Sequence, residues 1–155
     1  MKKSLKSLWM IVISLLTVIF SALGVTPAHA AGIVSTCDKT SLLAAISGGG
    51  TVTFACSGTI TLTEPINISG NLTLDGAGQS VTISGGNAVN VFYIPAGSVL
   101  TLKNITVADG YVGPGKAGGG FLNVGTLNIE NSTISNNQAD LGGGGSVLLV
   151  VASPP

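Results

Sequence analysis

Arginine is missing from the chain: all six basic residues are lysines, and three of them, Lys2, Lys3 and Lys6, stand at the extreme N-terminus. The other three, Lys39, Lys103 and Lys116, are scattered, so there is no basic stripe to hold phosphates and nucleic-acid binding is excluded. The single histidine, His29, also lies near the N-terminus. Past residue 30 there is no imidazole for acid–base work or for a metal site. Charged residues make up only 8% of the sequence, too few and too dispersed to suggest a paired-carboxylate centre.

What the first thirty residues do contain is a basic start, an apolar run from Leu8 to Val25, and Ala28-His29-Ala30, with small residues at the two positions a signal peptidase reads. Residues 1–30 are read as an export signal cleaved after Ala28 and Ala30 are recognised, leaving a chain that begins at Ala31 and has no membrane span. The alternative is an uncleaved anchor, since the run is near the minimum length for spanning. With three lysines removed and all six acids kept, the exported chain carries about three negative charges.

Cys37 and Cys56 are an even pair in a chain bound for an oxidising compartment, where a disulfide is the default and two free thiols the alternative. Between them, Ser41 to Ile46 is a run of good helix formers. Asp38, Thr40 or Ser41 is available as N-cap, and Gly48-Gly49-Gly50 as a stop. A helix this short needs packing to persist, and the open apolar end of a repeat array would provide it. Residues 31–50 are therefore read as a cap segment.

From Thr51 onward the hydrophobic period is two. Leu72 to Gly76 reads L-T-L-D-G, Leu100 to Asn104 reads L-T-L-K-N, and Leu127 to Asn131 reads L-N-I-E-N. Each copy is a short strand closed by Gly76, Asn104 or Asn131, the residue types that most easily turn left-handed. Further apolar–polar–apolar triplets lie at Val52, Ile60, Ile66, Val81 and Ile105, with Val91 to Ile94 and Phe121 to Val124 as third strands. Grouped in threes they give about four coils, starting near Val52, Leu72, Leu100 and Leu127. The predicted fold is all-β, a right-handed parallel β-helix over residues 51–145 with a short N-terminal capping helix. A β-sandwich built from hairpins is the competing reading.

The stretch C-D-K-T-S-L-L-A-A-I from Cys37, with G-G-T-V-T-F-A-C-S-G-T-I-T-L from Gly49 and N-L-T-L-D-G-A-G from Asn71, resembles the start of exported bacterial right-handed β-helix proteins of the pectin-lyase-like superfamily. The later G-G-G-F-L-N-V-G-T-L-N-I-E-N from Gly118 is similar to repeats of polymorphic outer-membrane and adhesin-like surface proteins. Their F-x-x-N pattern is absent, because Val124 stands where Asn would follow Phe121. The resemblance implies a surface location and a role among adhesins, passenger domains or polysaccharide lyases and hydrolases. Those enzymes use an arginine with calcium-binding acids, or several clustered aspartates. Asp75, Asp109, Glu130 and Asp140 are far apart in sequence, and on the coil template Asp75, Lys103 and Glu130 share one turn position as an alternating charged edge.

Three motifs mimic other sites. Gly110 to Ala117 approaches a phosphate-binding loop and Gly113, Gly115 and Gly118 satisfy G-x-G-x-x-G, but Ala117 replaces the magnesium-binding hydroxyl and glycines replace the helix. Gly142 to Gly145 lacks the aspartate of a calcium-binding repeat. Asn67, Asn71, Asn104 and Asn131 open N-x-Ser/Thr triplets, which mark glycosylation acceptors in a eukaryotic secretory route; Asn104 and Asn131 instead read as equivalent turn positions whose amides stack. Thr51-Val-Thr53 and Thr59-Ile-Thr61 suggest an ice-binding face, which the single outward residues Thr73, Thr101 and Asn128 do not continue.

The tail from Ser146 to Pro155 is apolar and atypical. It is read as a truncated or frame-shifted coil, which predicts self-association through an uncapped end, or as a final strand stopped by Pro154 and Pro155. The resulting functional expectation is a non-catalytic exported or cell-surface module that binds carbohydrate or another surface protein, with no cofactor and no metal. The alternative is the N-terminal part of a polysaccharide lyase or hydrolase.

Overall fold

A computed structural model describes residues 32–140. The predicted export signal with its expected Ala28/Ala30 site, Gly142–Gly145 and the tail from Ser146 lie outside the described residues. The elements are β1 (Gly32–Val34), α1 (Lys39–Ile46), β2 (Gly50–Phe54), β3 (Gly58–Thr61), β4 (Ile66–Asn67), β5 (Asn71–Asp75), β6 (Val81–Ser84), β7 (Phe92–Ile94), β8 (Val99–Lys103), β9 (Ile105–Ala108), β10 (Phe121–Asn123), β11 (Thr126–Glu130) and β12 (Thr133–Ser135). They form three sheets, ordered β1-β2-β5-β8-β11, β3-β6-β9-β12 and β4-β7-β10, and every strand pairing is parallel. From β2 onward each strand therefore pairs with the equivalent strand of the neighbouring coil and not with the strand next to it in sequence, while β1 pairs with β2 across α1. This is a parallel β-helix, with three complete coils and the start of a fourth among the described residues. It rules out the sandwich, whose hairpins would be antiparallel.

Inward residues stack in columns because equivalent positions align coil by coil. Val52, Leu74, Leu102 and Ile129 form one column of the first sheet, and Leu72, Leu100 and Leu127 another. Ile60, Ile83, Val107 and Ile134 run up the second sheet, and Ile66, Phe92 and Phe121 up the third. The rings of Phe92 and Phe121 stack with centroids 5.7 Å apart. Most of these side chains are fully buried in one continuous core, each contributing about 1.5–3 kcal/mol of transfer free energy.

The cap differs from expectation in two ways. The helix starts two residues earlier, at Lys39, because Asp38 is its N-cap: Asp38 Oδ1 accepts from the Ser41 backbone N–H at 2.8 Å. And β1, absent from the sequence reading, adds a rung below β2, with Gly32 opposite Val52. A Cβ on Gly32 would run into the carbonyl of Ala45, so glycine is what lets α1 lie across this rung. Leu42 is fully buried there, as the cap's role requires. The Cys37–Cys56 disulfide ties the cap to the end of β2, with Cα atoms 5.7 Å apart.

The first coil is also registered differently. Gly50, not Val52, stands opposite Leu72, while Val52 stands opposite Leu74. Gly76 needs correction too: it does not take the left-handed conformation that Asn104 (φ 56°) and Asn131 (φ 47°) adopt. The turn after β5 is longer than the one-residue turn after β8, and Gly78 carries its positive φ. Gly76 is required for space, since a Cβ would meet the Asn104 carbonyl of the next coil.

Candidate functional site

The outward rows are where chemistry is exposed, and register decides what each row contains. On the second sheet Thr59, Thr82, Thr106 and Thr133 stand opposite one another through all four coils. This gives one hydroxyl every coil, about 4.8 Å apart. The row was missed in sequence because its members are separated by unequal intervals, set by turns of different length. The first-sheet row is Thr51, Thr73, Thr101 and Asn128, where Asn128 Nδ2 donates to Thr101 Oγ1 at 3.2 Å. It ends in asparagine as expected.

At the turn between these sheets lies a charged edge, followed by an uncharged groove. Asp75, Lys103 and Glu130 are stacked in register. Lys103 Nζ pairs with Glu130 Oε2 at 2.8 Å, and that hydrogen bond, with the charge attraction behind it, raises the lysine above its ordinary pKa. Asp75 Oδ1 accepts from Asn104 Nδ2 and from the Ala77 backbone N–H, both at 2.9 Å. The stacked amide pair expected at Asn104 and Asn131 is therefore replaced by an amide–carboxylate bond across one coil. A carboxylate accepts more strongly than another amide would.

Beside this edge a groove of about 280 Å³ runs over the coils, lined by Gln79, Ser80, Asn104, Thr106, Asn131 and Thr133 above the buried Val81 and Ile105. None of its lining side chains is ionisable. The groove exists because the turn holding Gln79 and Ser80 is wider than the turns at Asn104 and Asn131, leaving a step in the surface. Ser57 braces that wide turn, donating to Gln79 Oε1 at 2.8 Å and accepting from the Ser80 N–H at 3.1 Å.

All six acids of the chain lie among the described residues, and each is engaged. Asp38 caps α1, Glu64 pairs with Lys39 at 2.6 Å, Asp75 and Glu130 are placed as above, Asp109 accepts from Ser84 Oγ at 3.1 Å, and Asp140 accepts from the Gly115 N–H at 2.9 Å. The Asp75, Asp109, Glu130 and Asp140 set does not converge, and no group of three metal-ligating side chains occurs among the described residues. Residues 109–120, which contain Gly113, Gly115 and Gly118, form the connection between β9 and β10, bridged to the next coil at Tyr111 and Gln138. Asn67, Asn71, Asn104 and Asn131 are all exposed. Among the described residues no helix is long and apolar enough to cross a membrane.

Comparison with protein-family models, curated proteins and solved structures finds no match to this chain. Its function must be argued from its own surface.

Proposed function

We propose that this chain is an exported, cell-surface β-helix module of the kind its sequence resembles, and that it works by adhesion without catalysis. The observation that carries this reading is the uncharged groove that holds Thr106 and Thr133 of the threonine row, with Thr82 and Thr59 continuing the row beyond it: hydroxyls and amides repeat at the coil spacing on a rigid support. Such a row suits an extended neutral carbohydrate, whose own hydroxyls repeat along its length. It suits an acidic polymer poorly, since no cation lines the groove. The disulfide fits an oxidising, extracytoplasmic compartment. The row is single file, so it offers little of the flat two-dimensional surface that an ice-binding role would need.

The test is binding to immobilised neutral and acidic polysaccharides, using the wild type and the Thr106→Val/Thr133→Val double variant. Losing two hydrogen bonds of about 0.5–1.5 kcal/mol each predicts affinity for a neutral polymer reduced by roughly five- to 150-fold, with an unchanged unfolding midpoint and little salt dependence. Binding confined to acidic polymers and abolished by salt would sink the reading. Release of new reducing or unsaturated ends would establish catalysis instead.

A further inference from the structure

The cap interrupts the strand ladder beneath the third sheet, and a second recess lies where it does so. Between β1 and β2 the chain forms α1 in place of second- and third-sheet strands, so among the described residues β4 is the first rung of its sheet. The end of α1 and the segment after it face the foot of that rung across a cleft of about 410 Å³. A helix cannot continue the ladder. The Ile66 and Ile68 N–H groups both donate to the coil above, to the carbonyls of Val91 and Tyr93 at 2.9 Å, so the intervening main-chain N–H of Asn67 is turned the other way, toward the cap. At Gly48 and Gly70, which line the cleft, a Cβ would meet nothing within 4 Å.

The groups on its walls describe a ligand. Ile46 and the buried Leu72 give the cleft an aliphatic part, and Asn67, Ser69 and Asn71 stand exposed around it. Among the described residues these three side chains make no hydrogen bond within the chain, whereas the side chains of Asn104, Asn128 and Asn137 are each committed to a neighbouring coil. No lining side chain is ionisable, and the carbonyl end of α1, with its partial negative charge, disfavours an anion. Two amides and a hydroxyl, each able to donate and to accept, beside aliphatic surface match a sugar ring, with hydroxyls at its edge and C–H groups on its face. The volume is in the range of small-ligand pockets. We propose that this cleft is a second binding site, taking one or two rings of a neutral saccharide, with Asn67 and Asn71 hydrogen-bonding its hydroxyls. It lies at the start of β5, whereas the groove at Gln79 and Asn104 follows the end of that strand, so it does not depend on the groove binding anything. A peptide added as a strand fits poorly, because β4 is only two residues long and offers few main-chain bonds.

The experiment is a titration of the isotope-labelled full chain with maltose, cellobiose and the acidic digalacturonate, read in the side-chain amide signals of Asn67 and Asn71 by NMR. A neutral disaccharide is expected to shift both signals saturably, and digalacturonate is not. Two variants then locate the site by calorimetry. Gly48→Leu adds bulk to the open space at a residue outside the left-handed backbone region, and Asn67→Ala/Asn71→Ala removes the two amides at exposed positions. Each is expected to weaken neutral binding by roughly ten-fold or more at an unchanged melting temperature, while Thr106→Val/Thr133→Val binds as the wild type does. No shift with either neutral sugar, tighter binding of digalacturonate, or full affinity in both cleft variants would overturn the proposal. Loss in Thr106→Val/Thr133→Val alone would give the binding to the groove, overturning the cleft and leaving the proposed function standing. Loss in the cleft variants alone, with no polymer held by the groove, would uphold the cleft and sink the groove.

Discussion

Replacing both Cys37 and Cys56 with alanine should cost about 3 kcal/mol, and the structure says why. The bridge closes a segment with a sequence separation of 19, and loop-closure entropy for that length is about 11 cal/mol/K, or roughly 3 kcal/mol at 25 °C. The segment it closes is the cap: Leu42 is fully buried against the first rungs, and α1 alone, at eight residues, is too short to be stable in water. Two effects therefore separate. If the bridge acts only on the unfolded chain, urea unfolding of the double variant shows a single transition, displaced by about 3 kcal/mol, with the strand signal in circular dichroism retained. If it also holds the cap down, a second, earlier transition appears as α1 and β1 detach from Val52. For a domain of this size about 3 kcal/mol corresponds to a melting temperature lowered by roughly 10–15 °C. A loss below about 1 kcal/mol would refute the reasoning, because the closed loop would then not be restricting the denatured chain.

Three further outcomes are expected. Leu102→Ala, at a fully buried position between Leu74 and Ile129, should destabilise by about 2–5 kcal/mol in denaturant unfolding, more than any substitution in an outward row. Asn104→Gly should be tolerated better than Asn104→Ala by about 1–2 kcal/mol, because both lose the bond to Asp75 but only alanine is forced into a left-handed backbone; equal melting temperatures would contradict this. Lys39 donates a hydrogen bond to Glu64 and attracts its charge, which holds that carboxyl below the ordinary range. A depressed folded-state pKa contributes stability above the unfolded value and loses it as pH falls through the folded one. Acid titration of stability should therefore show a small loss in that window, absent from Lys39→Met.

The first-sheet columns were legible in the sequence because L-T-L-D-G, L-T-L-K-N and L-N-I-E-N keep the same alternation at nearly constant spacing, which is enough to give a stacked coil. The N-terminal rungs were not. Gly50 has no side chain to report that it faces inward opposite Leu72, so the visible apolar Val52 suggested a register two residues off. Gly32–Val34 is three residues long, with Ile33 64% exposed, and carries no alternation to detect before its partner strand is known. The threonine row was hidden differently. Thr59, Thr82, Thr106 and Thr133 are 23, 24 and 27 residues apart, intervals set by the widths of the intervening turns and loops, so only the hydrogen-bonded register reveals them as neighbours. The Asp75–Lys103–Glu130 edge was visible because it follows directly from the repeat, but Asn104's choice of Asp75 over another amide depended on the angle of a one-residue turn. Position on a coil is thus readable from pattern, whereas pairing across coils depends on loop length.

That separation also bears on function. In this fold the inward columns build the core and the outward rows are the ones exposed to a ligand, and a residue belongs to one set or the other by the parity of its place in a strand. Connections between the second and third sheets lengthen coil by coil, from residues 62–65 to 85–91 to 109–120, while the columns beneath them stay in register. The solenoid therefore absorbs insertions at that corner without disturbing the core, and Tyr111, 38% exposed, is carried outward on the longest of them. The corner between the first and second sheets varies less, from the wide turn 76–80 to Asn104, which alone joins β8 to β9 and whose amide is fixed on the coil below. A surface meant to hold a repeating ligand needs equal spacing, which the in-register rows of the second sheet provide. The neutral groove lies at that corner, whereas the growing loops would give each coil a different contour. This difference between the two corners is why the threonine row, and not the glycine-rich connection, is the side of the molecule to probe for binding.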